Sequence, residues 1–325
     1  MDYICINFLF EIMLNRRILR IKAFKVLYSC AEDKSMTLAE ADSMFDSLCE
    51  AARDLYLFML AVVPALTSEA ARRIQAAKGK FNPTEEELNP NMKFVRNSLA
   101  ALLDQDPDFQ KLLAKKHLSW DQYDVFLRNL WDSVSSKPWF VSYMEAEGES
   151  MEQDCALFKH IFEEEFEDNE ELEDILQDMS ILWSDDLSYV LLFCIKTISH
   201  LARKPRWELP PLYQSDMTEK AESDSVFARR LIATTYGNSA RYASEIAASV
   251  SKWDSDRLYV PDVVLVSMGL SEAENFPGIP LSATINEYVE ISKFYCTPKS
   301  RSFVNGLLDR LVKQKIAEGK VTKQL

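Results

Sequence analysis

Glycine is scarce in this chain of 325 residues, with only seven occurrences. Tight turns with positive φ and phosphate-cradling loops both depend on glycine. The composition therefore argues against all-β folds, dinucleotide-binding domains and P-loop enzymes. Hydrophobic residues make up 47% of the chain, which is enough to bury a core and excludes wholesale disorder. What remains is a soluble, mostly helical protein.

Cysteine and histidine are also few, and none lies at the spacing of a metal or redox site. No two cysteines form a CxxC pair, and the histidines are equally scattered. Metal sites use closely spaced ligand pairs, so we expect no metal, no cofactor and no catalytic residue here. The cysteines are better explained as small buried hydrophobes in a reducing cytoplasm.

The chain contains no long stretch that is free of charge. The longest, Leu55–Ser68, has 14 residues and is interrupted by Pro64, whereas a membrane-spanning helix needs about 20 apolar residues. The sequence thus predicts no membrane segment. The first twelve residues are apolar but lack a basic region and a cleavage site, so we expect residues 1–12 to be an extension ahead of a start at Met13.

Positive charge is concentrated in two segments of a chain whose net charge is −14. Residues 16–25 contain five basic residues and no acid, and residues 293–323 contain eight basic residues and two acids. At a Debye length of about 8 Å, local charge decides what such a surface contacts. Basic residues followed by aromatics on one helix are typical of an edge that binds RNA.

The first basic segment has the pattern of a capped amphipathic helix. Asn15 precedes it as a candidate cap, and an apolar stripe follows at helical spacing, formed by Leu19, Ala23, Val26 and Leu27. A neighbouring line at i, i+4 spacing consists of Arg16, Arg20, Phe24 and Tyr28.

The middle of the chain is helical in pattern and strongly acidic. Residues 145–178 contain fifteen Asp or Glu and one Lys. Such a run is typical of a solvated helix face, and a docking surface for a basic partner is the alternative. The paired prolines in Glu208–Tyr213 predict a linker.

Further helix starts are predicted in the last third of the chain. Pro261 suits a first helical turn, Thr284 and Glu287 have capping-box spacing, and Thr297-Pro298 resembles a cap followed by the first helical residue. Gly306 lies within the last helical pattern, where glycine costs about 1 kcal/mol. We therefore expect it to permit a close helix approach.

Two separated segments resemble one family, the bacterial transcription antitermination factor NusB. RRILRIKAFKVLYS (Arg16–Ser29) resembles the arginine-rich first helix of that family, and INEYVEISKFYCTPKSRSFVNGLLDRLV (Ile285–Val312) resembles its C-terminal stretch. Between them, Phe227, Leu231, Trp253–Arg257 and Glu272 are similar to its middle helices.

The resemblance implies an all-α fold, a NusB-like helical bundle core with an additional inserted helical subdomain. The core would comprise residues 13–30 and 222–325, and residues 31–221 would be the insertion, as in a long form of the family. Closing a flexible loop of that length would cost roughly 3 kcal/mol more than closing a short one. We therefore expect a compact insertion whose ends lie close together.

The resemblance also implies a function without catalysis. Members of the family bind the single-stranded boxA element of nascent RNA together with the small ribosomal subunit protein NusE, and thereby act on the RNA polymerase elongation complex. This promotes processive transcription of ribosomal RNA operons. Carried over residue by residue, the RNA-binding positions are Arg16, Arg17, Arg20, Tyr28, Lys299, Arg301 and Phe303.

Alternatives remain for the residues and for the whole chain. The arginines and Lys299 could be solvated or engaged in ordinary ion pairs, and Tyr28 and Phe303 could belong partly to the core. A ribosomal RNA cytosine methyltransferase also carries a NusB-like domain, but this chain has no glycine-rich cofactor loop and no Pro-Cys pair. An interaction scaffold that kept the NusB fold and lost RNA binding is the other alternative.

Overall fold

The structure is a computed structural model that describes residues 13–183, 185–213, 223–250 and 259–323. The predicted extension at residues 1–12 and the Trp253–Arg257 match lie outside the described residues. Within the described ranges there are helices and no strand, which confirms the all-α prediction. The α-helices are α1 (Arg16–Glu32), α2 (Leu38–Leu60), α3 (Val62–Lys78), α4 (Glu85–Leu88), α5 (Ser98–Gln105), α6 (Pro107–Lys116), α7 (Asp124–Ser136), α8 (Pro138–Glu145), α9 (Met151–Glu164), α10 (Glu170–Met179), α11 (Leu187–Leu201), α12 (Asp224–Gly237), α13 (Ser239–Val250), α14 (Val260–Asn275), α15 (Leu281–Tyr295) and α16 (Ser300–Ala317).

The helices form two compact units. The first unit consists of the described residues up to Cys49 and those from Pro211 onward, and the second consists of Glu50–Pro210. The second unit lies inside the insertion predicted over residues 31–221, whose bounds stay a prediction. We call the first the split unit and the second the inserted unit.

The chain leaves the split unit and returns to it at neighbouring points. The backbone N–H of Met13 donates to the Pro211 carbonyl at 3.0 Å, and that of Leu14 donates to the Leu212 carbonyl at 2.9 Å. Tyr213 is hydrogen-bonded to Cys49, the last residue before the inserted unit. Because the two points where the inserted unit joins the split unit are held together, the long insertion adds little to the entropic cost of closing the split unit.

Helix α1 begins where the sequence predicts. Asn15 is extended and its side-chain oxygen accepts from the backbone N–H groups of Arg17 and Ile18, which satisfies two donors that would otherwise lack partners. The predicted apolar stripe is buried against α12 and α14. The line of Arg16, Arg20, Phe24 and Tyr28 is not uniformly exposed, since Arg20 and Phe24 are buried.

Helices α14, α15 and α16 pack on one another, and a glycine sets the closest approach. A Cβ at Gly269 would lie 2.6 Å from a methyl carbon of Leu308 and 3.3 Å from the Tyr288 ring. A Cβ at Gly306 would meet no atom within 4 Å. The expectation that Gly306 permits close packing is therefore wrong, and Gly269 has that role.

Two of the three later helix starts also differ from the prediction. Pro261 does lie in the first turn of α14, but α15 begins at Leu281 after Pro280, and α16 begins at Ser300 after Lys299. The capping box at Thr284 and Glu287 does not form because both side chains bind residues of other helices. Distant partners have replaced the local cap.

A charged cluster joins α13, α14 and α16 around Glu274. Its carboxylate accepts from Arg241 at 2.7 Å and from the Tyr242 hydroxyl at 2.8 Å, and it lies 2.6 Å from Lys315 Nζ. Lys315 is buried and also contacts Glu245 at 2.6 Å. Although burial opposes ionisation, the donated hydrogen bonds from Arg241, Lys315 and Tyr242 lower the pKa of Glu274 to about 2.

The inserted unit has an aromatic core. Phe58 stacks on Trp120 with ring centroids 4.2 Å apart, and the Trp120 indole N–H donates to the Phe58 carbonyl at 2.8 Å. By length and composition the helical stretch Leu38–Lys78 could cross a membrane, yet 72% of its apolar window is buried inside the protein. Packing within the protein removes that apolar surface from water, as it does for ordinary core helices.

The acidic run of the inserted unit is largely solvated, as its sequence predicts. Its side chains in α9, α10 and the turn between them are mostly exposed. Asp154 and Glu165 are buried exceptions. Asp154 accepts from the Tyr143 hydroxyl at 2.6 Å, whereas Glu165 accepts from Ser133 at 2.7 Å and pairs with Lys137 at 2.9 Å.

Candidate nucleic-acid interface

Each of the two basic segments of the chain has an arginine near helix α15. The Arg17 guanidinium forms two hydrogen bonds to the Glu287 carboxylate, at 2.7 and 2.9 Å. Arg301 lies near the start of α16, which packs on α15, and it acts electrostatically on Glu290, which also interacts with Arg17. Residues from the two ends of the sequence thus lie beside successive turns of one helix. We call this the α15 face.

The carboxylates of the α15 face are ionised and tuned by their cations. Hydrogen bonding to Arg17 lowers the pKa of Glu287 and, reciprocally, raises the pKa of Arg17. The pKa of Glu290 is lowered mainly by its hydrogen bond to Lys293, with Arg301 and Arg17 contributing at longer range. The Arg17 guanidinium, which is about half exposed, is therefore held in place by an acid that competes with any incoming phosphate.

Arg16 and Arg20 share the ring of Phe227 on α12. Each guanidinium carbon lies 5.0 Å from the ring centroid, within cation–π distance. Arg16 Nε donates to the buried carboxylate of Asp224 at 3.0 Å and stays partly exposed. Arg16 can thus reach solvent while its stem is fixed against α12.

Arg20 is buried, with only 5% of its surface exposed. Its Nε and Nη2 donate to the two oxygens of Glu272 at 2.8 and 2.9 Å. Thr284 and Tyr288 each donate a hydroxyl hydrogen bond to the same carboxylate, at 2.8 and 2.9 Å. Burial opposes the charge on Arg20, but the hydrogen bonds that it donates to Glu272 and the charges of nearby acids raise its pKa. This geometry makes Arg20 a residue that joins α1 to α14 and α15.

The remaining predicted RNA residues are accessible to different degrees. Lys299 and Arg301 are exposed, and within the described ranges neither forms a side-chain ion pair. Tyr28 is 37% exposed and Phe303 is half-buried. The structure brings Arg17 and Arg301 to one helix face and places Arg20 beneath it.

The acidic partners of the arginines were missed by the sequence reasoning. Asp224 and Glu287 had no assigned charge partner, and Glu272 was noted only as a family position. One signal was present: Glu272 comes shortly after the largely apolar stretch Val263–Leu270, and a charge within a buried helix requires a partner. That signal predicts a buried cation, although it cannot say which one.

The comparisons with known proteins identify the family. The NusB family model matches residues 199–313, which contain α12 to α15 and most of α16. The transcription antitermination protein NusB of Thermodesulfovibrio yellowstonii is 31% identical over 113 residues, which are 35% of this chain and 75% of that protein. The chain belongs to the NusB family.

Other NusB proteins give similar values. That of Dictyoglomus turgidum is 32% identical over 125 residues, covering 33% of this chain and 84% of the relative. That of Thermotoga maritima is 36% identical over 96 residues, covering 30% and 66%. The aligned part is about a third of this chain and most of each relative, so this chain is longer than these NusB proteins. No solved structure matches the chain.

Proposed function

We propose that this chain is a transcription antitermination and elongation factor that binds boxA-type single-stranded RNA together with NusE. In this role it would act in the cytoplasm, contact the RNA polymerase elongation complex indirectly, and promote processive transcription of ribosomal RNA operons. The proposed function is binding rather than catalysis. It is supported by membership of the NusB family and by the convergence of two basic segments on the α15 face.

The observation that carries the proposal is that Arg17 of the first basic segment binds Glu287 of α15, the helix on which α16 of the second basic segment packs. Single-stranded RNA is held by cations that neutralise phosphates and by aromatic surfaces that stack on bases. Arg16, Arg17, Lys299 and Arg301 supply exposed or partly exposed cations, and Tyr28 and Phe303 supply aromatic edges. Arg20 contributes by fixing α1 in place, since its guanidinium already binds Glu272.

We assign the RNA and NusE contacts to the split unit and treat residues 31–221 as an insertion with a separate role. The acidic exposed surface of α9 and α10 repels phosphate, which argues against RNA binding there. At physiological salt this repulsion is screened beyond about 8 Å. The insertion can therefore coexist with an RNA-binding surface elsewhere on the chain.

The test measures the affinity for boxA RNA, with and without NusE, as a function of salt. Four phosphate contacts predict a slope of log Kd on log salt near 3 in magnitude for a single strand. A triple variant, Arg17→Gln with Lys299→Gln and Arg301→Gln, should lower the slope by about 2. A control with the same loss of charge in the inserted unit is Arg96→Gln with Lys111→Gln and Lys115→Gln, all exposed positions. This control should retain the slope of the unmodified chain.

The scaffold alternative gives the opposite result. If the chain is an interaction protein without RNA binding, boxA affinity will be weak and the triple variant will behave like its control. Unchanged affinity and slope in the triple variant would therefore overturn the proposal, even if NusE binds.

A further inference from the structure

Phe294 exposes a large aromatic ring in the last turn of α15. Its side chain is 80% exposed, and it was not among the residues predicted to bind RNA. A single exposed hydrophobic side chain is ordinary on a protein surface. Its neighbours are what set this one apart.

The ring belongs to the α15 face. Phe294 follows Glu290 by four residues and Glu287 by seven, and residues at these spacings lie on the same side of a helix. Glu287 holds the Arg17 guanidinium, and Glu290 interacts with both Arg17 and Arg301. Phe294 therefore continues, by one turn, the face that the two cations flank.

A second aromatic surface lies beside it. The ring of Tyr295, the next residue, is 5.4 Å from Phe24 of α1, and Phe24 is 6.2 Å from Tyr28. Phe24 is buried, whereas Tyr28 is 37% exposed. The contact between α1 and α15 thus fixes the last turn of α15 and leaves Phe294 free to face solvent.

We propose that Phe294 is a base-stacking residue that receives an unpaired base of a single-stranded RNA whose phosphates bind Arg17 and Arg301. The inference rests on the proposed function and adds a contact to it. Stacking on an aromatic face tolerates any base, because every base has a π-face. Phe294 would add affinity without adding sequence preference, while the cations fix the backbone.

The experiment compares Phe294→Ala, Phe294→Leu and Phe294→Tyr in their affinity for boxA RNA in the presence of NusE. Alanine and leucine should weaken binding about 5- to 30-fold, which is about 1–2 kcal/mol at 1.4 kcal/mol per factor of ten. Tyrosine should stay within about 2-fold because it keeps a π-face. All three should keep the salt slope, since no charge changes. The matched control is Phe81→Ala, which removes a fully exposed ring from the inserted unit and should change nothing.

RNAs with single abasic nucleotides then locate the contact. The unmodified chain should lose affinity for one abasic RNA by about the same factor, and Phe294→Leu should lose nothing further on that RNA. If Phe294→Ala and the unmodified chain bind boxA RNA equally well and with the same salt slope, the stacking inference is wrong while the proposed RNA-binding function stands. A loss of NusE binding without loss of RNA affinity would likewise overturn it and assign the ring to a protein contact. If the unmodified chain does not bind boxA RNA at all, the proposed function and this inference both fail.

Discussion

Replacing Arg20 by alanine should destabilise the split unit far more than it changes the RNA surface. The guanidinium is the cation that contacts the Glu272 carboxylate at hydrogen-bond distance, and that carboxylate is 0% exposed. Thr284 and Tyr288 would still donate to it, but neutral donors do not balance a buried charge. Removing one partner of a buried ion pair costs about 3–5 kcal/mol.

Hydrogen exchange of peptides from α14 and α15 is the suitable assay. Five of the six tryptophans lie in the inserted unit, so intrinsic fluorescence would report mainly on the wrong part of the chain. A loss of about 3–5 kcal/mol predicts that protection falls roughly 10²- to 10⁴-fold. Peptides from the inserted unit provide an internal reference.

Two further variants test whether the destabilisation comes from an unpaired buried charge and not from the loss of an arginine as such. Arg17→Ala removes a partly exposed pair with Glu287 and should cost less than about 1 kcal/mol. Combining Arg20→Ala with Glu272→Gln should recover part of the lost protection, because the unpaired buried charge is then gone. Unchanged protection in Arg20→Ala, together with lost RNA binding, would refute the structural role and make Arg20 a direct RNA contact.

Three further outcomes are expected. Glu287→Gln should tighten boxA RNA binding about 2- to 5-fold in a fluorescence anisotropy titration, because it releases Arg17 for phosphate; weaker binding would contradict this. Gly269→Ala should destabilise the split unit by up to about 2 kcal/mol, because overpacking costs about 1–3 kcal/mol and the better helix propensity of alanine offsets about 1 kcal/mol of that cost. Gly306→Ala should stabilise it by up to about 1 kcal/mol, and equal effects of the two variants in hydrogen exchange would refute the packing argument. Because the pKa of Glu274 is lowered in the folded chain, its contribution to stability is complete above the unfolded pKa of about 4.5 and is lost as pH falls toward 2. Glu274→Gln should flatten the stability profile in that window, as followed by hydrogen exchange, and an unchanged profile would show that other carboxylates dominate.

Local sequence signals predicted the parts of the fold that local interactions control. Asn15 caps α1, Pro261 lies in the first turn of α14, and the apolar stripe of α1 is buried as its spacing indicates. In each case the decisive contacts lie within one helix or on one face of it. The acidic run is also mostly exposed, as a dense run of charge indicates by itself.

Signals failed where a distant residue competed with a local partner. Thr284 and Glu287 have the spacing of a capping box, but they bind Glu272 and Arg17 instead. The partner of Glu287 is 270 positions away in the sequence, beyond the reach of any spacing rule. The expectation that Gly306 permits close packing was wrong for a similar reason, because tertiary packing determines which glycine faces another helix.

The candidate site could be predicted as a set of charges but not as a surface. The sequence indicated two basic segments, and the resemblance indicated which residues in them to name. It could not show that Arg20 turns inward or that acids hold Arg16 and Arg17. Phe294 could not be predicted as a surface residue, because its exposure depends on how the folded chain packs.

Crosslinking of boxA RNA to the full chain, in the presence of NusE, tests most directly whether the two basic segments act on one RNA. A 4-thiouridine placed at successive positions and identified by mass spectrometry would report the contacted peptides. We expect crosslinks both to α1 and to residues 293–303 from adjacent nucleotides of the same RNA. Crosslinks confined to Glu50–Pro210, or to only one of the two segments, would contradict the account.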